Sequence, residues 1–318
     1  MIGIVDFQVG FPKSRITAQQ MRESSGRPVA DILAWTHCTE IPVFTEDEPA
    51  WELVCEVARA VLDRSHVAPD RIGQVIYAGS GDWDYPGWSP AAKVAAELGI
   101  TGAHCFEVVN FCTAAATALQ TATDAIAAGR IEYALVLCGD QASRGVDYTD
   151  PDSVSLFNTG DCAVAVLVGG QNVRFEFLRA KSVTDPSWAD FYVGEYEDGR
   201  VVTRRRGHQL NLPKVYLDTF TALTHDLLAA GRVGVADVRY LLINQMDRRM
   251  HERLLDILGI PAERSIFNYD RFGHMGCGDA FIGLTDLLTG NRLDPGDLIL
   301  LATSGIGFSW GVTLLRFQ

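Results

Sequence analysis

The stretch VVNFCTAAATALQTATDAIAAGR, residues 108–130, joins an apolar strand-like run to a run of Ala, Thr and Leu that stops at Gly129. We interpret it as a strand, a turn and a helix, with Cys112 at the turn. A cysteine at the start of a helix faces the positive end of the helix dipole, which favours thiolate over thiol. Such a thiolate can carry an acyl group. A buried structural cysteine is the alternative at this point, because free cysteine is among the most buried residue types.

Short apolar runs alternate with helical patterns along the rest of the chain. The predicted strands are 73–79, 133–139, 162–170, 238–244 and 297–305, and the predicted helices are 50–64, 90–98, 113–128, 213–230, 247–258 and 278–289. This alternation predicts an α/β fold with a largely parallel sheet. A weak internal similarity suggests two halves, 1–170 and 171–318, that share one crevice at their strand ends.

Two segments do not fit the alternating pattern. Residues 171–212 have mixed charge and several aromatic residues, and we expect an excursion from the core. Residues 80–90, GDWDYPGWSPA, are rich in turn-forming residues and aromatics. This loop packs either against a second subunit or on its own domain.

The composition narrows the class of protein. The 318 residues are 47% hydrophobic and carry a net charge of −13, so general nucleic-acid binding is not expected. No apolar run is long enough for a membrane span. The seven cysteines are scattered, without a CxxC pair or zinc-ligand spacing, and no export signal is evident. We therefore expect reduced thiols, a cytoplasmic protein and no metal site.

Several motifs, in the same order along the chain, resemble one known family. They are the Cys112 turn and helix, LFNTGDCAVAVLVG (156–169) and the long stretch 238–315. Together they resemble the ketoacyl synthase III enzymes, condensing enzymes of the thiolase superfamily. The resemblance implies a thiolase-like fold of two similar α/β halves in a layered α-β-α-β-α architecture. It also implies a homodimer, with the nucleophile in the first half.

The resemblance implies three catalytic residues, but two of them have exchanged places. The family's histidine normally lies in an HQAN motif and its asparagine in a GNTS-like motif. Here these stretches read Asn244-Gln245-Met246-Asp247 and Gly273-His274-Met275-Gly276. Cys112, His274 and Asn244 are thus the expected catalytic set, with altered geometry. Asn244 has the alternative of capping the helix predicted at 247–258.

Further residues near these motifs are assigned by position. Asp279 follows His274 closely and could orient it, as the third group of a triad does, or simply cap a helix. SGIGFSWG (304–311) resembles the family's glycine-rich loop. Backbone N–H groups at Gly305 and Gly307, with that of Cys112, are the expected oxyanion donors.

The function that follows is an acyltransferase of the EC 2.3.1 type, in polyketide, fatty acid or other specialised metabolism. It would load an acyl group from an acyl carrier protein or coenzyme A thioester onto Cys112 and need no resident cofactor. Arg248 and Arg249 match the family's docking site for acidic carrier proteins, on a chain that is otherwise acidic. The family's adenine-gripping residues are not clearly present, although Trp35 is a candidate.

Three alternatives to acyl transfer stay open at the level of sequence: decarboxylative condensation, a non-catalytic subunit and a cysteine hydrolase. Decarboxylative Claisen condensation with a malonyl thioester uses two hydrogen-bond donors to the thioester oxygen. Transfer to an alcohol or amine instead needs a base beside the acceptor. A non-catalytic subunit that pairs with an active ketosynthase has no need of Cys112. A cysteine hydrolase built on Cys112 and His274 fits the ordered family motifs poorly.

Overall fold

A computed structural model describes all 318 residues. The strands are β1 (Gly3–Gly10), β2 (Arg15–Thr17), β3 (Glu40–Pro42), β4 (Ile72–Gly79), β5 (His104–Val109), β6 (Tyr133–Cys138), β7 (Ala163–Gly169), β8 (Phe175–Thr184), β9 (Tyr192–Glu197), β10 (Arg200–Arg205), β11 (Val238–Ile243), β12 (Leu298–Gly305) and β13 (Ser309–Phe317). The helices are α1 (Ala18–Ser25), α2 (Val29–Thr36), α3 (Ala50–Ser65), α4 (Pro90–Glu97), α5 (Ala114–Ala127), α6 (Leu212–Ala230), α7 (Arg248–Leu258) and α8 (Asp279–Thr289).

Nine strands form one sheet in the order β11-β12-β13-β8-β1-β7-β6-β4-β5. Strands from residues 1–170 lie on one side of it and strands from 171–318 on the other. The two sides meet through only two residue pairs, where Gly3 and Ile4 of β1 face β8. The sheet is mixed rather than largely parallel, so that prediction was wrong: β4–β5, β4–β6 and β11–β12 are parallel and the other pairs antiparallel.

Side-chain alternation along the strands builds five layers. Successive strand residues point to opposite faces, and both faces of β4 are buried: Ile76 contributes to a central core with α5 and α8, and Val75 to an outer core with α3 and α4. A third core joins α6 and α7 to β11, β12 and β13. With each half of the sheet counted as one layer, the order is helix, sheet, helix, sheet, helix, as the family resemblance implied.

All the strands and helices predicted from hydrophobic patterns form, with ends within about two residues of the prediction, as is usual for such boundaries. The expectation for 171–212 was wrong in its first part, because β8 is a central strand between β1 and β13. Within 171–212, only the strands of the β9–β10 hairpin lie outside the main sheet. None of the helices has the length and apolar character needed to span a lipid bilayer.

Candidate active site

Cys112 lies in a short 3₁₀ turn, Phe111–Thr113, between the end of β5 and the start of α5. Phe111 has φ 48°, in the left-handed region that bulky residues rarely adopt. Such strain clusters at functional sites, and here it sits immediately before the cysteine. The sharp turn carries the chain from the sheet edge directly into the helix.

His274 lies against this cysteine, with its Nε2 atom 3.3 Å from Cys112 Sγ. The loop that carries it is fixed by the LFNTGD segment: His274 N donates to Asn158 O at 2.7 Å, and Gly160 N donates to His274 O at 2.9 Å. Gly273 has φ 71°, and a Cβ atom there would lie 2.4 Å from Asn158 O. A glycine is therefore required before the histidine for this close approach.

Asp279 completes a row of three side chains. Its Oδ2 atom lies 2.6 Å from His274 Nδ1 and also accepts from Gln245 N at 2.7 Å, while Oδ1 accepts from Met275 N at 2.9 Å. Because Nδ1–H faces a carboxylate, the network assigns the proton of neutral His274 to Nδ1. The Nε2 lone pair is then directed at the thiol of Cys112.

Asn244 is held by backbone groups. Its Oδ1 atom accepts from Ser304 N at 2.7 Å, and its Nδ2 atom donates to Gly276 O at 3.2 Å. The helix-capping alternative does not apply, because Asp247 caps α7 by accepting from Met250 N. Asn244 lines the same cavity as Cys112, but its amide ties two loops of the site together.

Burial and charge set the protonation of the pair. Burial raises the pKa of the Cys112 thiol, and the neighbouring His274 only partly opposes this. Burial therefore opposes the thiolate that the helix dipole would favour. Burial also acts to lower the pKa of His274, but Asp279 and Cys112 outweigh it and raise that pKa well above 6.5. The imidazole is thus a strong acceptor for the thiol proton.

Of the two glycines predicted to supply oxyanion donors, Gly305 lies close to the turn that carries Cys112 and Gly307 does not. A Cβ atom on Gly305 would lie 2.9 Å from Asn110 O and 3.2 Å from Phe111 Cβ, so only glycine fits there. Gly307, with φ 129°, lies in the turn between β12 and β13 and does not line the cavity. Cys277 Sγ donates to Phe111 O at 3.2 Å and so also contacts the nucleophile turn.

A cavity of about 680 Å³ opens from Cys112 to the surface. The β9–β10 hairpin forms part of its wall through Tyr192, Val193, Gly194, Val201 and Thr203. Trp35, Arg248 and Arg249 also line it. Arg248 pairs with Glu252 at 2.9 Å, whereas Arg249 makes no ion pair. The volume of the cavity is in the range of sites that bind drug-sized ligands.

Sequence reasoning missed two polar residues of this site. Asn158, inside the LFNTGD motif, donates to Gln245 O and Met246 O and so holds the loop of Asn244. Tyr216 on α6 lines the cavity, and its only signal in the sequence was its place in an amphipathic helix. No group of three or more His, Cys, Asp or Glu residues could hold a metal ion.

Comparison with known proteins identifies the class to which this fold and site belong. The C-terminal domain of 3-oxoacyl-[acyl-carrier-protein (ACP)] synthase III matches residues 228–317, and the preceding domain of the same family matches residues 106–186. Together these matches cover more than half of the chain. The chain belongs to the ketoacyl synthase III family, within the thiolase superfamily.

Relatives and solved structures agree with this family. The chain is 29% identical over 283 residues to a beta-ketoacyl-[acyl-carrier-protein] synthase III of Rhodospirillum centenum, covering 86% of each protein. The synthase III structure from Aquifex aeolicus superposes with a TM-score of 0.89 at 23% identity, covering both chains completely. The priming β-ketosynthase of the R1128 polyketide pathway gives a TM-score of 0.88 at 18% identity, covering 100% of this chain and 96% of that one. At these identities the structures show the thiolase fold alone.

Proposed function

We propose that the protein is an acyltransferase that loads an acyl group on Cys112 and passes it to an oxygen or nitrogen nucleophile in specialised metabolism. The observation that carries the proposal is the continuous row from Cys112 Sγ through His274 to Asp279, with contacts of 3.3 and 2.6 Å. A nucleophile, a base and a group that orients the base are the parts of a triad mechanism.

The row supports two successive steps. As the sulfur of Cys112 attacks the donor thioester, its proton moves to His274 Nε2, and the departing thiol of the donor takes that proton. His274 then removes a proton from the acceptor as the acceptor attacks the acyl carbon, and returns it to the Cys112 sulfur as the carbon–sulfur bond breaks. Asp279 stabilises the imidazolium in both steps. Backbone N–H groups of Cys112 and Gly305 are the proposed oxyanion donors.

The same geometry argues against the alternative of decarboxylative condensation. That reaction needs two side-chain donors aimed at one thioester oxygen. The amide of Asn244 is instead held by Ser304 N and Gly276 O, so it does not supply one of these two donors. The alternative of a non-catalytic subunit leaves this complete row without a purpose.

Loading is tested by intact-protein mass spectrometry after mixing with a panel of acyl-pantetheine, acyl-coenzyme A and acyl-carrier thioesters. We expect a mass gain of one acyl group, placed on Cys112 by peptide mapping, and no gain in Cys112→Ala. A second control is Cys105→Ala, which removes a partly exposed thiol that does not line the cavity. If no donor acylates the protein, or if Cys112→Ala is acylated equally, the proposal fails.

An acyl carrier protein is the proposed donor, with Arg249 as its docking residue. Arg249 is exposed at the cavity mouth without an ion pair, so it is available to an acidic partner. Coenzyme A remains the alternative donor, and we propose no resident cofactor. The seven unpaired cysteines support a cytoplasmic location.

Arg249→Glu should slow loading from an acyl carrier protein by about 10-fold or more at low salt, because a steering attraction becomes a repulsion. Loading from the matching acyl-pantetheine should change less than twofold. Arg253→Glu is the matched control, since Arg253 is exposed on the same helix but does not line the cavity. Equal losses with both donors would contradict a docking role.

We further propose a homodimer formed through strand β5. This strand is an edge of the nine-stranded sheet, and exposed edges readily pair with another chain. Val109 at its end and Tyr85 in the neighbouring aromatic loop are 57% and 56% exposed, as expected of residues that a second subunit covers. Light scattering should give twice the chain mass, and Val109→Lys should yield monomers. A wild-type monomer at micromolar concentration would contradict the dimer.

A further inference from the structure

The Asp279 carboxylate lies between two loops, and each loop donates one backbone N–H group to it. Met275 N, in the loop of His274, donates to Oδ1 at 2.9 Å, and Gln245 N, in the loop after β11, donates to Oδ2 at 2.7 Å. His274 Nδ1 lies 2.6 Å from the same Oδ2 atom. The direction of the carboxylate, and with it the direction of the imidazole, therefore depends on how these two loops are held together.

Asn158 contacts both of these loops. Its backbone carbonyl accepts from His274 N at 2.7 Å. Its Nδ2 atom donates to two successive carbonyls, Gln245 O at 3.2 Å and Met246 O at 2.8 Å. Asn158 is 3% exposed, and hydrogen bonds in such a water-poor environment are stronger than at the surface. One residue thus joins the loop of the base to the loop that donates to its carboxylate partner.

The side chain of Gln245 fixes the same peptide from the other side. Its Nε2 atom donates to Ile243 O at 2.9 Å and to Ile266 O at 3.2 Å, and its Oε1 atom accepts from Asn268 N at 2.8 Å. The peptide whose N–H group faces the carboxylate is therefore held from both sides.

The amide of Asn158 is buried at a cost. Its Oδ1 atom has no hydrogen-bond partner in the protein, which costs free energy that an apolar side chain of the same shape would not cost. What the amide adds over such a side chain is the pair of bonds to Gln245 O and Met246 O. Departures from the usual pairing of buried polar groups are expected at functional sites, and this one lies beside the proposed base.

We propose that Asn158 is a positioning residue of the acyltransferase, and that it holds the Asp279 carboxylate against His274. The inference rests on the proposed function, because it concerns the base of that reaction. Asn158 does not line the cavity, so it acts through the two loops. When its side-chain donors are lost, the Gln245 N–H group and the carboxylate should shift together, and the contact with His274 Nδ1 should lengthen. The imidazolium is then less stable, and Nε2 is less well directed at Cys112.

The first test is the pH dependence of acyl transfer in Asn158→Leu, which keeps the size of the side chain and removes its donors. The plateau rate should fall roughly 10- to 100-fold, since a displacement of about 1 Å can cost 10²-fold. Although burial opposes it, Asp279 raises the pKa of His274. A more distant carboxylate raises that pKa less, so the midpoint of the profile should move to lower pH. A purely structural role would lower the rate and leave the midpoint in place.

The second test observes the hydrogen bond itself and needs no acyl donor. A proton held in a short bond between an imidazole nitrogen and a carboxylate resonates at unusually low field. Proton NMR of wild type should show such a signal for His274 Nδ1–H, and its absence from His274→Asn assigns it. In Asn158→Leu the signal should move to higher field or disappear.

Gln141→Met is the matched control. Gln141 is 4% exposed, and its amide also makes two side-chain hydrogen bonds, but to Asp84 and Arg144 in other loops. Its midpoint and low-field signal should match wild type. If Asn158→Leu does not fold, Asn158→Ser, whose short hydroxyl cannot reach both carbonyls, should show the same shifts. An unchanged midpoint or an unchanged low-field signal in the folded variant would overturn the positioning role. Failure of wild type to load or transfer would instead refute the acyltransferase itself.

Discussion

Asp279→Asn should lower the rate of acyl transfer by roughly 10⁴-fold, the loss found when a triad loses its orienting carboxylate. The amide can donate to His274 Nδ1, which would move the imidazole proton to Nε2 and remove the base that faces Cys112. The carboxylate also raises the pKa of His274. Its loss changes both the orientation and the basicity of the same ring.

The pH profile of transfer distinguishes this role from a structural one. Transfer needs neutral His274, so its rate should rise with pH through the pKa of that residue, above 6.5 in the wild type. Without the negative charge of Asp279 the imidazolium is less stable, and the rise should move to lower pH. Asp286→Asn is the matched control, because Asp286 lies on the same helix but pairs with Arg271 at the surface. A profile with an unchanged midpoint in Asp279→Asn would contradict the orienting role.

His274→Asn should reduce loading and transfer together, each by roughly 10⁴-fold or more, because the base is then absent. Burial raises the pKa of the Cys112 thiol, so little thiolate forms without a base. The backbone bonds of residue 274 to Asn158 and Gly160 do not depend on its side chain, and the fold should persist. Thermal unfolding within a few degrees of wild type would verify that persistence.

The double variant His274→Asn/Asp279→Asn should be no slower than His274→Asn alone, since residues that act as one unit are not additive. His208→Asn, at an exposed histidine away from the cavity, is the control for loss of an imidazole. Retention of more than a tenth of the loading rate in His274→Asn would mean that another group deprotonates Cys112.

The hydrophobic pattern was sufficient to locate the core strands because they are short and continuously apolar, whereas the layered arrangement came from the family resemblance. β6 and β7 are buried along their whole length, so the apolar run and the strand have nearly the same ends. β8 escaped detection because its second half, with Lys181, Ser182 and Thr184, is exposed and polar. Its pairing with β1 and β13 is long-range, and no local pattern reports it.

The site was only partly predictable because its contacts, like the pairing of β8, join residues that are far apart in the sequence. The motifs identified Cys112, His274 and Asn244, but a motif does not say which hydrogen bonds a side chain makes. Asn244 makes two contacts with backbone groups 32 and 60 residues away. Tyr216 reaches the cavity because α6 packs across the sheet, which its own helical pattern does not reveal.

The most direct test of the account is a single-turnover experiment on protein acylated at Cys112. The acylated protein is first separated from the donor and then split into two portions. One portion receives a malonyl thioester carrying an isotopic label in its free carboxyl group, and the other receives an alcohol. We expect the acyl mass to leave Cys112 as an ester in the second portion, with little labelled carbon dioxide in the first. Rapid release of labelled carbon dioxide with formation of a ketoacyl product would show a condensing enzyme and contradict the account.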